Sequence, residues 1–183
     1  MITEKLIALA VLLAVTPSSA ADKEKAVDNP AAELHAQYKI PQGWDVDKKA
    51  EGPDRRIRVT KSAHVLQILY FGGGPKSRYA GADDFLRGPE ATSMGRPPEA
   101  WRAARVSGRR VSVYRHTYPL PSGDPHDVGG GPSPKARETF CVLPAAGKAF
   151  FVLSYAWEAP VPESADEGEK AWAALLASFK ITK

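Results

Sequence analysis

A single cysteine, Cys141, is all the thiol chemistry in these 183 residues, so no internal disulfide can brace the fold. It sits in "ETFCVLP" among strand-forming residues, with no histidine or cation beside it to lower its pKa. That context predicts a small buried hydrophobe rather than a reactive thiol. Long apolar runs are missing as well. The longest, Leu6 to Val15, has ten residues, well short of the ~20 that a membrane-spanning helix needs. A large excess of one charge is absent, the net value being +4. No aromatic residues interleave in a basic groove, which argues against nucleic acid as a partner. Neither a G-x-S-x-G elbow nor an H-E-x-x-H helix occurs, so the familiar hydrolase signatures are lacking and no catalytic set is assigned.

One stretch imitates a phosphate-binding loop. "QILYFGGGPKSRYAGADDF" (67–85) runs an apolar strand into three glycines, a lysine and a serine. The motif G-x-x-x-x-G-K-[ST] needs glycine directly before the lysine, so that backbone N–H groups turn inward around the phosphates. Here Pro75 precedes Lys76-Ser77, and proline has no N–H to offer. Tyr70 occupies the place of the first required glycine. A second run, Gly129-Gly130-Gly131-Pro132, lies in a proline-rich irregular stretch, so both read as chain reversals.

The short apolar run has its own meaning. Lys5 supplies a charge before it, and Ser18 and Ala20 place small residues at −3 and −1 of a cleavage site after Ala20; cleavage after Ala21 fits nearly as well. Residues 1–20 therefore read as a secretory signal, and no cysteine follows to carry a lipid anchor. The expected location is periplasmic or secreted, with no stable membrane insertion after removal of the signal. Such compartments hold little ATP, which agrees with the failed phosphate loop. Residues 21–35, alanine-rich and charged, read as a spacer, and 36–183 as one domain of a size suited to one core.

Within that domain the periodicity alternates between strands and helices. Tyr38 with Ile40, and Trp44 with Val46, alternate around a turn at Pro41–Gly43. "RRIRVT" and "AHVLQILYF" predict a strand pair, the second apolar on both faces and so central. Ala82 to Leu86 suits a short helix, with Asp83 and Asp84 placed for the helix start rather than for acid–base chemistry. "AARVSGRRVSVYRHTY" predicts a hairpin turning at Ser107-Gly108. "ARETFCVLPAAGKAFFVLSYAW" predicts a second, at the centre of a covered sheet. Ser164 and Glu167 fit a capping box for a final helix, on which Trp172, Leu175, Leu176 and Phe179 form one apolar stripe. The fold class is α+β, an antiparallel sheet with helices packed on it.

"IPQGW" (40–44), "ILYFGGG" (68–74), "VSGRRVSV" (106–113), "FCVLPAAGKAFFVLSY" and "AWAALLASFKI" together resemble the PsbP-like superfamily, over roughly residues 36–181. The resemblance implies an α/β/α sandwich in which Gly-Trp opens the sheet and the segment holding Trp172, Leu175, Leu176, Ser178 and Phe179 closes over it. It implies no catalytic residues and no cofactor, and bacterial relatives are mostly exported proteins of unknown role.

Two functional readings of different classes follow. Arg96, Arg102, Arg105, Arg109, Arg110 and Arg115 crowd the first hairpin, while Glu158, Glu163, Asp166, Glu167 and Glu169 gather before the last helix. Unless these stretches neutralise each other, Arg105, Arg109, Arg110 and Arg115 offer a face for carboxylate or phosphate groups on an envelope protein or other anionic partner. The leading reading is thus a non-enzymatic accessory or binding protein of the cell envelope. The alternative is a small hydrolase or metal-dependent enzyme using the 119–134 loop. There Asp124, His126 and Asp127, with His116 nearby, make an oxygen-rich cluster for a divalent cation, though an ordinary exposed turn has the same composition.

Overall fold

The computed structural model describes residues 34–92, 96–119, 135–157 and 166–182. Their strands are β1 (Ala36–Gln37), β2 (Asp45–Glu51), β3 (Asp54–Lys61), β4 (His64–Phe71), β5 (Glu99–Val106), β6 (Arg109–Pro119), β7 (Lys135–Pro144), β8 (Phe150–Trp157) and β9 (Lys180–Ile181). The helices are α1 (Ala82–Arg87) and α2 (Asp166–Ser178). Seven strands form one antiparallel sheet in the order β2-β3-β4-β8-β7-β6-β5, and β1 pairs with β9 beside it. Strand residues far outnumber helical ones, so the molecule is richer in sheet than a balanced α+β protein.

Side-chain alternation divides the sheet into two faces. On the first lie Ile57, Val59, Leu66, Ile68, Leu153, Cys141 and Val113, and α2 covers them with the expected stripe of Trp172, Leu175, Leu176 and Phe179. Leu34, from the expected spacer, is buried in the same core. On the second face Phe71, Phe140, Phe150 and Val152 meet Tyr79, Phe85 and Ala91 from α1 and its flanks. Only six residues long, α1 covers just part of this face.

Both predicted hairpins are present. Ser107 and Gly108 have φ of 50° and 75°, the left-handed pair that lets a two-residue turn follow strand twist, and Val106 pairs with Arg109. β8, buried along nearly its whole length, is the central strand. Two expectations need correction. Tyr38 and Ile40 alternate but form no strand, because the backbone pairs only at Ala36–Gln37, with β9. The alternation at Trp44 and Val46 predicts nothing further along the chain, whereas β2 continues to Glu51 as an exposed edge strand whose charged residues carry no alternating signal. Ser164 of the capping box lies outside the described residues.

Candidate functional site

The structure splits the four arginines of the predicted contact face. Arg105 and Arg110 are register partners near the hairpin tip and share the second face. Arg109 pairs with buried Val106 and points the other way, donating from Nη1 to the Pro144 carbonyl at 2.6 Å. It braces the neighbouring turn and cannot join Arg110 in one patch. Arg115 lies farther along β6, on the helix-covered face.

Trp101, which carries no periodic signal in the sequence, brings together two arginines, Arg102 and Arg115, the first of which is outside the four. β5 contains a bulge between Ala100 and Arg102, so Trp101 is the extra residue on an edge strand. It is 43% exposed, the one large hydrophobic side chain among the described residues to be so. The Arg115 guanidinium carbon lies 3.5 Å from the centroid of its ring and that of Arg102 lies 4.6 Å away, both within cation–π range. Arg110 joins Trp101 and Arg102 in lining a shallow depression at this edge. Burial, together with nearby Arg137 and Arg102, draws the Arg115 pKa down, while Glu169 acts in the opposite sense. Glu167, expected as a possible partner of these arginines, instead pairs with Lys61 across the fold. Glu158 and Glu163 lie outside the described residues. The signal available in sequence was a tryptophan set among charged residues in "PEAWRAAR".

His116 is buried, and both ring nitrogens are committed. Nε2 lies 3.1 Å from Glu138 Oε2, and Nδ1 lies 3.2 Å from the Ala91 carbonyl oxygen. A protein oxygen faces each nitrogen, so both are occupied within the fold and neither is open to a metal or a substrate. Asp124, His126 and Asp127 lie outside the described residues. Among the described residues no cluster of three or more His, Cys, Asp or Glu is arranged to hold a metal ion. Burial pushes the Cys141 thiol up to about 12, in keeping with a packed hydrophobe. Asp84 Oδ2 accepts the Ala80 N–H at 3.1 Å, which ties down the turn at the start of α1.

The glycine-rich loop does cradle an anion, and the anion is the protein's own. Asp54 Oδ1 accepts from Gly72 N at 3.0 Å and from Ser77 Oγ at 2.6 Å, while Oδ2 accepts from Arg78 N at 2.8 Å. Gly73, with φ of 71°, passes so close to the β7–β8 turn that a Cβ there would meet the Lys148 carbonyl oxygen at 2.5 Å. Beside this loop, between α1 and the β2–β3 side of the second face, opens a cavity of about 400 Å³. Its apolar floor includes Leu69, Phe71 and Val152, and Lys49, Arg56 and Glu90 lie around it.

No family model matches the chain, and no curated protein matches it. The PsbP-like resemblance therefore rests on the sequence motifs alone. Among solved structures, a protein of Bacteroides thetaiotaomicron VPI-5482 is similar at 12% identity with a TM-score of 0.47 over 82% of this chain. This chain spans only 46% of that protein's length. LpqN of Mycobacterium tuberculosis, described as involved in cell envelope biogenesis, is similar at 15% identity and a TM-score of 0.38, over 81% of this chain and 83% of its own.

Proposed function

We propose that this is an exported, non-enzymatic accessory protein of the cell envelope, PsbP-like in fold, that grips an anionic partner protein through the Trp101 edge. The observation that carries the reading is Trp101 itself, exposed on a bulged edge strand with two guanidiniums against its ring. Aromatic and arginine side chains are what protein interfaces concentrate at their anchors. The charge of Arg102, Arg110 and Arg115 adds a steering field for carboxylates. Export is supported by the composition of residues 1–20, and the PsbP-like fold by the motifs together with a sheet that carries a helix on each face.

The test is a pull-down from bacterial envelope extract at low and raised salt, comparing the parent with Trp101→Ala and with Arg102→Glu/Arg110→Glu. Loss of one or more partners from both variants, with salt weakening the parent's capture, is the expected result. Identical partner lists from all three proteins refute the contact face. Export is checked by weighing the product of the full chain expressed in a bacterium. A periplasmic species starting at Ala21 or Asp22 is expected, and an intact chain starting at Met1 refutes it.

A further inference from the structure

The cavity on the second face has an unbalanced wall. Lys49 of β2 and Arg56 of β3 stand directly opposite each other in register and both line it. Like charges so placed on one face of an antiparallel pair repel. Relief from Asp47 is slight, since its carboxylate reaches Arg56 Nη2 only at 3.6 Å with both side chains well exposed. Arg56 Nε is buried and has no hydrogen-bond partner among the described residues.

The acids around the same cavity are mostly committed elsewhere. Asp54 holds the glycine loop, Glu138 faces His116, and Glu90 is paired with Arg78 through Oε1, its Oε2 being buried with no hydrogen-bond partner among the described residues. Glu51 remains, exposed at the end of β2. The floor is apolar, with Leu69 and Val152 paired across β4 and β8 and Phe85 contributed by α1. A buried donor and two opposed cations thus border an apolar floor that is packed at Phe71, Phe85 and Val152 and partly open at Leu69, in a volume that falls within the range of small-ligand sites.

From this juxtaposition we propose that the cavity binds a small amphipathic anion, a carboxylate or phosphate on an apolar chain or ring. The head lies against Lys49 and Arg56, and the body lies over Leu69, Phe71, Phe85 and Val152. The anion relieves the repulsion between the two cations and supplies the acceptor that Arg56 Nε lacks. The apolar body takes the partly exposed Leu69 side chain out of water and packs on its buried neighbours. None of the residues lining this cavity lines the Trp101 depression, so the two sites stand or fall separately.

Titration calorimetry on the whole chain tests the assignment with decanoate, decyl phosphate, neutral decanol and inorganic phosphate. Decanoate or decyl phosphate is expected to bind well above the other two, and which of them binds identifies the head group. Lys49→Gln and Arg56→Gln are each expected to weaken that binding about tenfold or more, as losing a charged hydrogen bond does. Leu69→Trp, which fills the floor, is expected to abolish it. Lys49→Gln removes a repulsion at an exposed position, so its thermal midpoint equals or exceeds the parent's and an affinity loss is not unfolding. The proposal is overturned if decanol binds as tightly as the anions, if inorganic phosphate alone does so, if both charge variants bind like the parent, or if none of the four probes binds.

Discussion

Removing the Asp54 carboxylate should unfasten the glycine loop, and the structure sets how much that costs. Three donors converge on the carboxylate, from Gly72, Ser77 and Arg78. A hydrogen bond to a charged group contributes about 1.5–3 kcal/mol when its removal strands the partner. The Gly72 and Ser77 bonds are partly buried, whereas the Arg78 N–H is exposed and regains water. Two half-shielded bonds then amount to about 2–4 kcal/mol for Asp54→Ala. For a chain of this size that is a fall of about 5–15 °C in Tm. Circular dichroism measures the shift, and hydrogen exchange should show loss of protection confined to residues 72–78. The vacated cradle also predicts that millimolar phosphate raises the Tm of Asp54→Ala but not of the parent. A variant with an unchanged Tm and unchanged exchange in the loop would refute the claim that this internal anion organises it.

Two further expectations concern the core. Trp172, 1% exposed under the sheet, should cost about 3–5 kcal/mol when changed to Ala. Trp172→Phe should cost much less, because it also removes an indole N–H that is buried without a partner among the described residues, and urea unfolding of both variants measures the difference. Burial raises the Cys141 thiol from 9.0 to about 12 and the Tyr155 hydroxyl from 10.0 to about 12. Both acids ionise more readily once unfolded, so their contribution is intact below pH 9 and declines as pH rises toward 12. Urea midpoints should therefore fall steadily above pH 9, with Cys141 inert to thiol reagents at pH 8 until the protein unfolds, and rapid labelling of the native protein would contradict this.

Local pattern and distant pairing left different traces in the sequence. β3 and the apolar stripe of α2 were legible from the period of their buried side chains, and β4 and the β7–β8 hairpin from continuous apolar runs that mark strands covered on both faces. β2 was not, since an edge strand of exposed Asp, Lys and Glu has no face to betray it. Nor was the strand order, because β4 takes its second neighbour from β8, far along the chain. At the site, counting arginines found the cationic hairpin, but the bulge that turns Arg102 and Arg115 onto Trp101 is a register slip that no spacing rule reports. Asp54 was silent for a similar reason, its partners being loop donors 18 to 24 residues away.

The placement of β8 also sets a timetable. His64 pairs with Trp157 and Phe71 with Phe150, so the β2–β3–β4 meander has no inner neighbour until about 80 residues beyond β4 have been made. The helix that covers that neighbour comes later still. Pairings so distant in sequence form slowly, since the long loop must close before any contact rewards it. A nascent chain therefore stays open until β8 has been made, whatever local hairpins flicker within it. If the first twenty residues direct export, delay is an asset: the polypeptide can be threaded through a narrow channel before the strand that locks its two halves together is available.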